Sequence, residues 1–211
     1  SLSVASCYTS ILTALKEFGI DCKINPVPNE LEAPTPFHLD SRHATYDPKH
    51  ASDLREALLM ANEVLTEFRA AFTGKCSPVH FFWGSFDLAV SRFSGKKAPL
   101  HPGGIPNLPD WVAQEAYSHE VSSCGFWPGN SAVPFAAFYN YIYPEPEGFK
   151  DSAVKPESAY YDKTLREFIL PYRDVQQATN PSKTLLDFLH STYEAAANLS
   201  RWDRNNLETK K

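Results

Sequence analysis

Apolar residues in the first part of the chain recur three and four apart: Val4, Cys7, Tyr8, Ile11, Leu12, Leu15 and Phe18, followed by Gly19. That spacing predicts a helix over residues 3–18 with one apolar stripe. The same step in Leu54, Leu58, Ala61, Leu65, Phe68 and Phe72 predicts a second helix, capped by Ser52 or Asp53 and stopped at Gly74. A third is expected after Asn180-Pro181-Ser182, carrying Leu185, Leu186, Leu189, Tyr193, Ala196 and Ala197, with a polar tail beyond Trp202. Elsewhere the period drops to two. Residues 21–27 alternate weakly and run into Pro26 and Pro28, as an edge strand would. Residues 80–93 read as one long strand bent at Gly84. Two more strands are predicted over 116–126 and 135–143, separated by Pro128-Gly129-Asn130, and a last one over 164–170.

Proline and glycine mark the rest. Residues 28–50, with Pro28, Pro34, Pro36 and Pro48 and the histidines His38, His43 and His50, show no period. A loop of that length inside a domain is uncommon and stands as a candidate lid. Residues 94–110 form a second Pro/Gly-rich loop. Helices bracketing a run of strands, without strict alternation, imply an α+β fold: a mostly antiparallel sheet with helices packed on one face.

Composition narrows the classes of function. With 211 residues, 43% hydrophobic and 21% charged, the expectation is a single domain over 1–211. No apolar run approaches the roughly 18–20 residues of a membrane helix, and no secretory pattern opens the chain, so a cytoplasmic protein is expected with no membrane partner. A net charge of −5 with interspersed signs argues against nucleic acid. Cys7, Cys22, Cys76 and Cys124 form no CxxC pair, which points to free thiols rather than a zinc knuckle or disulfide framework.

Several composite motifs stand together: His80-Phe81-Phe82-Trp83-Gly84-Ser85-Phe86-Asp87-Leu88, His101-Pro102-Gly103-Gly104, Ser118-His119-Glu120, Gly125-Phe126-Trp127-Pro128-Gly129 and Tyr143-Pro144-Glu145-Pro146. In these the chain resembles an uncharacterised microbial family, a domain of unknown function, over nearly its whole length. The resemblance implies relatives that are longer, with a strand-rich segment ahead of the helix at residue 3, so that this chain corresponds to their C-terminal two-thirds. It brings no reaction with it. A missing upstream segment would leave surface for that segment, or for a second copy of the chain, to cover.

Chemistry-bearing residues concentrate between 80 and 143. His119 could act as acid or base, oriented by Asp87 or Glu120, since imidazole titrates near neutral pH. His80, Trp83, Arg92, His101, Tyr117, Trp127, Tyr139 and Tyr143 could bind a ligand as aromatic walls and polar contacts. His80, Asp87, His101, His119 and Glu120 are also metal-ligand types, but on a regular strand His119 and Glu120 face opposite ways, so metal and cofactor stay open. The reading is a small-molecule-binding domain, with catalysis left open, whose polar and aromatic pocket surrounds His80, Asp87, His101 and His119. The alternative is a non-catalytic scaffold or interaction module offering a sheet edge to a partner strand.

Overall fold

The computed structural model describes residues 2–130 and 133–209. Its chain forms two compact units, Ser1–Glu56 with Gly103–Ala113, and Ala57–Pro102 with Gln114–Lys211.

In the first unit, helix α1 (Val4–Glu17) follows the predicted period and is capped by Ser3, whose side chain accepts from the Ser6 amide. A 3-10 turn at Phe37–Leu39 packs beside it, with the Tyr8 and Phe37 rings 5.9 Å apart. Asp40 ties this corner, accepting from the amides of Arg42 and His43 and from the His43 ring at 2.7 Å. Residues 21–27 form no strand: the predicted edge strand is replaced by irregular chain that turns at Asn25 and bonds through the Pro26 carbonyl to Phe37. Helix α2 (Pro48–Ala70), whose residues from Ala57 on belong to the second unit, opens earlier than predicted. Asp47 accepts from the Lys49 and His50 amides and so caps the helix ahead of Ser52 and Asp53, with Pro48 in the first turn, where its missing N–H costs nothing.

The second unit holds a six-stranded antiparallel sheet in the order β1-β2-β3-β4-β6-β5. Its strands are β1 (His80–Phe82), β2 (Asp87–Lys97), β3 (His119–Trp127), β4 (Ala137–Tyr143), β5 (Tyr160–Asp162) and β6 (Glu167–Pro171). Its further helices are α4 (Tyr172–Gln177), α5 (Pro181–Leu199) and α6 (Arg204–Leu207), with α3 (Asp110–Ala116) belonging to the first unit as far as Ala113. The architecture is α+β, as the patterning predicts. The single bent strand over 80–93 is instead a hairpin, because Trp83-Gly84-Ser85-Phe86 fold back through a bond from the Phe86 amide to the Phe82 carbonyl. β5 and β6 repeat that geometry across residues 163–166, closed by the Arg166 amide on the Asp162 carbonyl. Phe86 (φ 63°) and Arg166 (φ 61°) each end their loop in the left-handed region. Residues 75–77 extend the outer side of β2 beyond β1, through bonds from the Ser77 amide to Ser91 and from the Phe93 amide to Lys75.

Register sorts the two faces. Leu88, Val90 and Arg92 align with Phe126, Cys124 and Ser122, then with Phe138, Asn140 and Ile142. This face meets Phe68 of α2, Tyr172 of α4 and Tyr193 of α5. Leu185, Phe188, Leu189, Tyr193 and Ala196 of α5 are buried at its centre, so the unit's long helices lie on one side of the sheet. The opposite face carries Asp87, Ala89 and Ser91, then Trp127, Gly125 and Ser123, then Tyr139, Tyr141 and Tyr143, and Glu167 and Ile169.

Candidate functional site

The second face is built around the first residue of β2. Asp87 follows the left-handed Phe86 and is 6% exposed. One carboxylate oxygen accepts from the Ser85 hydroxyl at 2.5 Å and the other from the Tyr139 hydroxyl in a short hydrogen bond. The Trp127 indole donates to the Ser85 carbonyl at 3.1 Å and fixes the turn that presents Asp87. Tyr139 starts from β4, two strands away, and reaches Asp87 only because the residue between them on β3 is Gly125. A Cβ there would lie 2.8 Å from the Tyr139 hydroxyl and against the Leu88 carbonyl.

Tyr139 stacks along Tyr141, centroids 6.2 Å apart and planes 14° from parallel. Tyr141 shares a 2.8 Å hydrogen bond with Tyr117 and also bonds Ser123, itself 3.0 Å from the Ser91 hydroxyl. Tyr117 in turn stacks on His101 at 4.7 Å, and Tyr143 closes the group against both rings at 5.2 Å while donating to the Pro99 carbonyl. The result is a ladder of tyrosines running from a carboxylate to an imidazole. Burial pushes the Tyr139 and Tyr141 hydroxyls well above their ordinary range, so each stays protonated and serves as a hydrogen-bond donor.

Glu167 adds the second carboxyl group. It opens β6 one residue after the left-handed Arg166, as Asp87 follows Phe86. Burial, then the charges of Asp87 and Asp162, raise its pKa to about 8. At neutral pH it is mostly the neutral acid. Two carboxyl groups on one face, one accepting from two hydroxyls and the other raised in pKa by burial and neighbouring charge, form the kind of arrangement that separates a proton donor from an acceptor.

Of the predicted site residues, the structure gathers Asp87, Trp127, Tyr139, Tyr117, Tyr143 and His101 on this face. His80 packs against Phe82 at the sheet's margin, ring centroids 4.3 Å apart and planes tilted by 53°, and Trp83 is 81% exposed at the hairpin tip. His119 pairs with Lys97 at the far end of β3, eight residues from Trp127 and so roughly 26 Å along the strand from the Asp87 end. The His119–Asp87 pair does not assemble. His119 contacts the Ser118 hydroxyl, while Glu120 accepts from Ser94 at 2.9 Å beside Lys96. Arg92 falls on the helix-covered face, where its guanidinium lies 3.4 Å from the Phe68 ring centroid. Among the described residues no group of three or more His, Cys, Asp or Glu could hold a metal ion.

Glu167, Tyr141, Ser85 and Ser123 were not among the predicted residues. The signal for Tyr141 was the alternation Tyr139-Asn140-Tyr141-Ile142-Tyr143, which puts three tyrosines on one side of a strand. For Glu167 it was a carboxylate heading the apolar Phe168-Ile169-Leu170, where a charge has no ordinary reason to sit.

Fold and site together define an α+β domain with a carboxyl-bearing tyrosine face on an antiparallel sheet. The chain belongs to the family of unknown function DUF5996, whose model matches residues 1–209. No curated protein matches it. No solved structure matches it either. No helix among the described residues is long and apolar enough to cross a membrane.

Proposed function

We propose that the tyrosine face binds a small polar molecule and that Asp87 and Glu167 act on it as proton acceptor and proton donor. The observation that carries this reading is the half-buried Glu167 acid, its pKa raised to about 8, on the same face as an Asp87 that already accepts from two hydroxyls. Tyrosine hydroxyls and the His101 ring would orient the bound molecule, and the aromatic surfaces would cover its apolar parts. The site thus keeps Asp87, His101 and the tyrosines from the sequence reading and replaces His119 by Glu167. All four cysteines are free thiols, which fits a reducing, cytoplasmic setting.

Native mass spectra of the purified chain, D87N and E167Q test the proposal. The expected result is a small organic mass retained by the unaltered protein and lost from both variants. A bare mass, together with a Glu167 carboxyl that titrates at the ordinary glutamate value in a carbon-13 NMR series, would overturn it.

A second reading, a non-catalytic interaction module, draws on the β1–β2 hairpin tip. Phe82, Trp83 and Phe86 are 41%, 81% and 42% exposed, and exposed aromatic clusters are common at protein contacts. A copurifying protein released by Trp83→Ser, with no small-molecule mass, would favour it.

A further inference from the structure

Within the second unit, residues 202–209 lie in a groove between residues 71–74 and α5. The Thr73 amide donates to the Leu207 carbonyl at 2.8 Å and the Thr209 amide to the Ala71 carbonyl at 3.1 Å, which pairs Phe72 with Glu208 in a single antiparallel bridge. Side chains add anchors. Glu208 accepts from the Tyr193 hydroxyl at 3.0 Å and from Arg204 at 2.6 and 3.1 Å, and Arg204 reaches Asn198 and Glu194 of α5. Trp202, 6% exposed, meets Tyr193 edge to face with centroids 6.0 Å apart. The segment is thus a short peptide docked on its own chain by backbone pairing and anchoring side chains, the combination that holds extended peptides between chains.

The stop that turns the chain into this groove is strained. At the end of α5 the Arg201 amide donates to the Asn198 carbonyl at 3.1 Å and the Trp202 amide to the Ala197 carbonyl at 2.8 Å, the paired bonds of a Schellman stop. The left-handed residue of such a stop is usually glycine, but here it is Arg201, at φ 52°. A side chain in that region crowds its own backbone, whereas the right-handed alternative would let α5 run on. The sequence does not oppose that alternative, since residues 182–209 hold neither proline nor glycine. Asp203, ahead of α6, makes no side-chain cap bond to start a new helix. The stop is braced from outside instead: Lys96 Nζ, at the end of β2, donates to the Ser200 and Arg201 carbonyls at 3.0 and 2.9 Å.

We propose that the groove also takes residues 202–209 of a second copy of this chain. Arg201 turns to the right-handed region, α5 runs on past Leu199, and each chain of a two-fold dimer seats its peptide in the other's groove. The occupant is specified by the fold itself, because groove and peptide are already complementary within one chain. Exchange keeps those contacts and releases two left-handed arginines per dimer. Against it stands the tether, which holds the peptide at a high effective concentration beside its own groove. The monomer therefore prevails in dilute solution, and the dimer forms as the protein is concentrated.

Analytical ultracentrifugation and native mass spectrometry test this on the full chain, R201G and K96M. Each is warmed close to its melting point to open the peptide and cooled at a series of protein concentrations. Residues 201 and 96 are both exposed, so both variants are expected to fold. The unaltered protein should give a dimer that grows with concentration. R201G removes the strain from the closed chain and should weaken the dimer at least about tenfold, since two residues are relieved for each dimer. K96M takes away the brace on the stop and should strengthen it about threefold or more. A chain that stays monomeric at every concentration, K96M included, overturns the proposal. So does a dimer that R201G leaves unchanged or strengthens, or one that K96M leaves unchanged or weakens, because such a dimer is held by another surface.

Discussion

At the residue scale, Glu167 and Gly125 govern the tyrosine face in different ways. Glu167 is a carboxyl group whose folded pKa, about 8, lies above its ordinary value of 4.5. The folded state therefore holds that proton more tightly than the unfolded chain, so the stability it contributes is full below 4.5 and is lost as pH rises through about 8. Melting temperatures of E167Q should accordingly decline less across that interval than those of the unaltered protein, and parallel profiles would contradict the assignment. Gly125 acts by absence. Gly125→Ala places a methyl against the Leu88 carbonyl and the Tyr139 ring, and overpacking of this kind costs about 1–3 kcal/mol. Chemical denaturation should show that loss, together with a Tyr139 hydroxyl no longer held by Asp87. Asp87 was legible in the sequence as a lone acid in an aromatic strand. Glu167 was legible only as an acid ahead of an apolar run; its raised pKa was not, because it comes from burial and from Asp87 and Asp162 in the folded chain.

At the element scale, α1, α2 and α5 were legible because apolar spacing over four or more turns leaves little alternative. Asn180 before Pro181 marked the start of α5, and its side chain accepts from the Lys183 amide at 3.1 Å. Asn180→Ala should cost about 1 kcal/mol, lowering Tm by about 2–4 °C in a thermal melt. The two hairpins were harder to read. Their loops end in Phe86 and Arg166, side chains that seldom adopt positive φ, where asparagine or glycine would have announced the turn. Without that cue β1 and β2 merged into one predicted strand, and the three residues of β5 were too few to show a period. Helix α3 was missed because Pro109-Asp110 reads equally as the end of a loop and as a helix start.

At the scale of the whole molecule, stability is unevenly distributed. None of the residues of α1 is buried, whereas α5 buries Leu185, Phe188, Leu189, Thr192, Tyr193, Ala196 and Ala197. Amide hydrogen exchange should be much faster in the middle of α1 than in the middle of α5, and equal protection would show that the helices open together. Antiparallel topology with helices on one side was legible from the order of the elements, while the strand order could not be read from it. The sheet's margins have a further consequence. Its outermost strands, β1 and β5, are three residues each, and residues 75–77 occupy the side of β2 that β1 leaves uncovered. A neighbouring chain arriving in extended form finds only a few backbone rungs on either flank, too few to seed a growing fibril. Six consecutive residues of β3, Val121 to Phe126, and four of β4, Ala137 to Asn140, are buried and would be hazardous if bared, and they lie in the interior of the sheet with a partner on both sides.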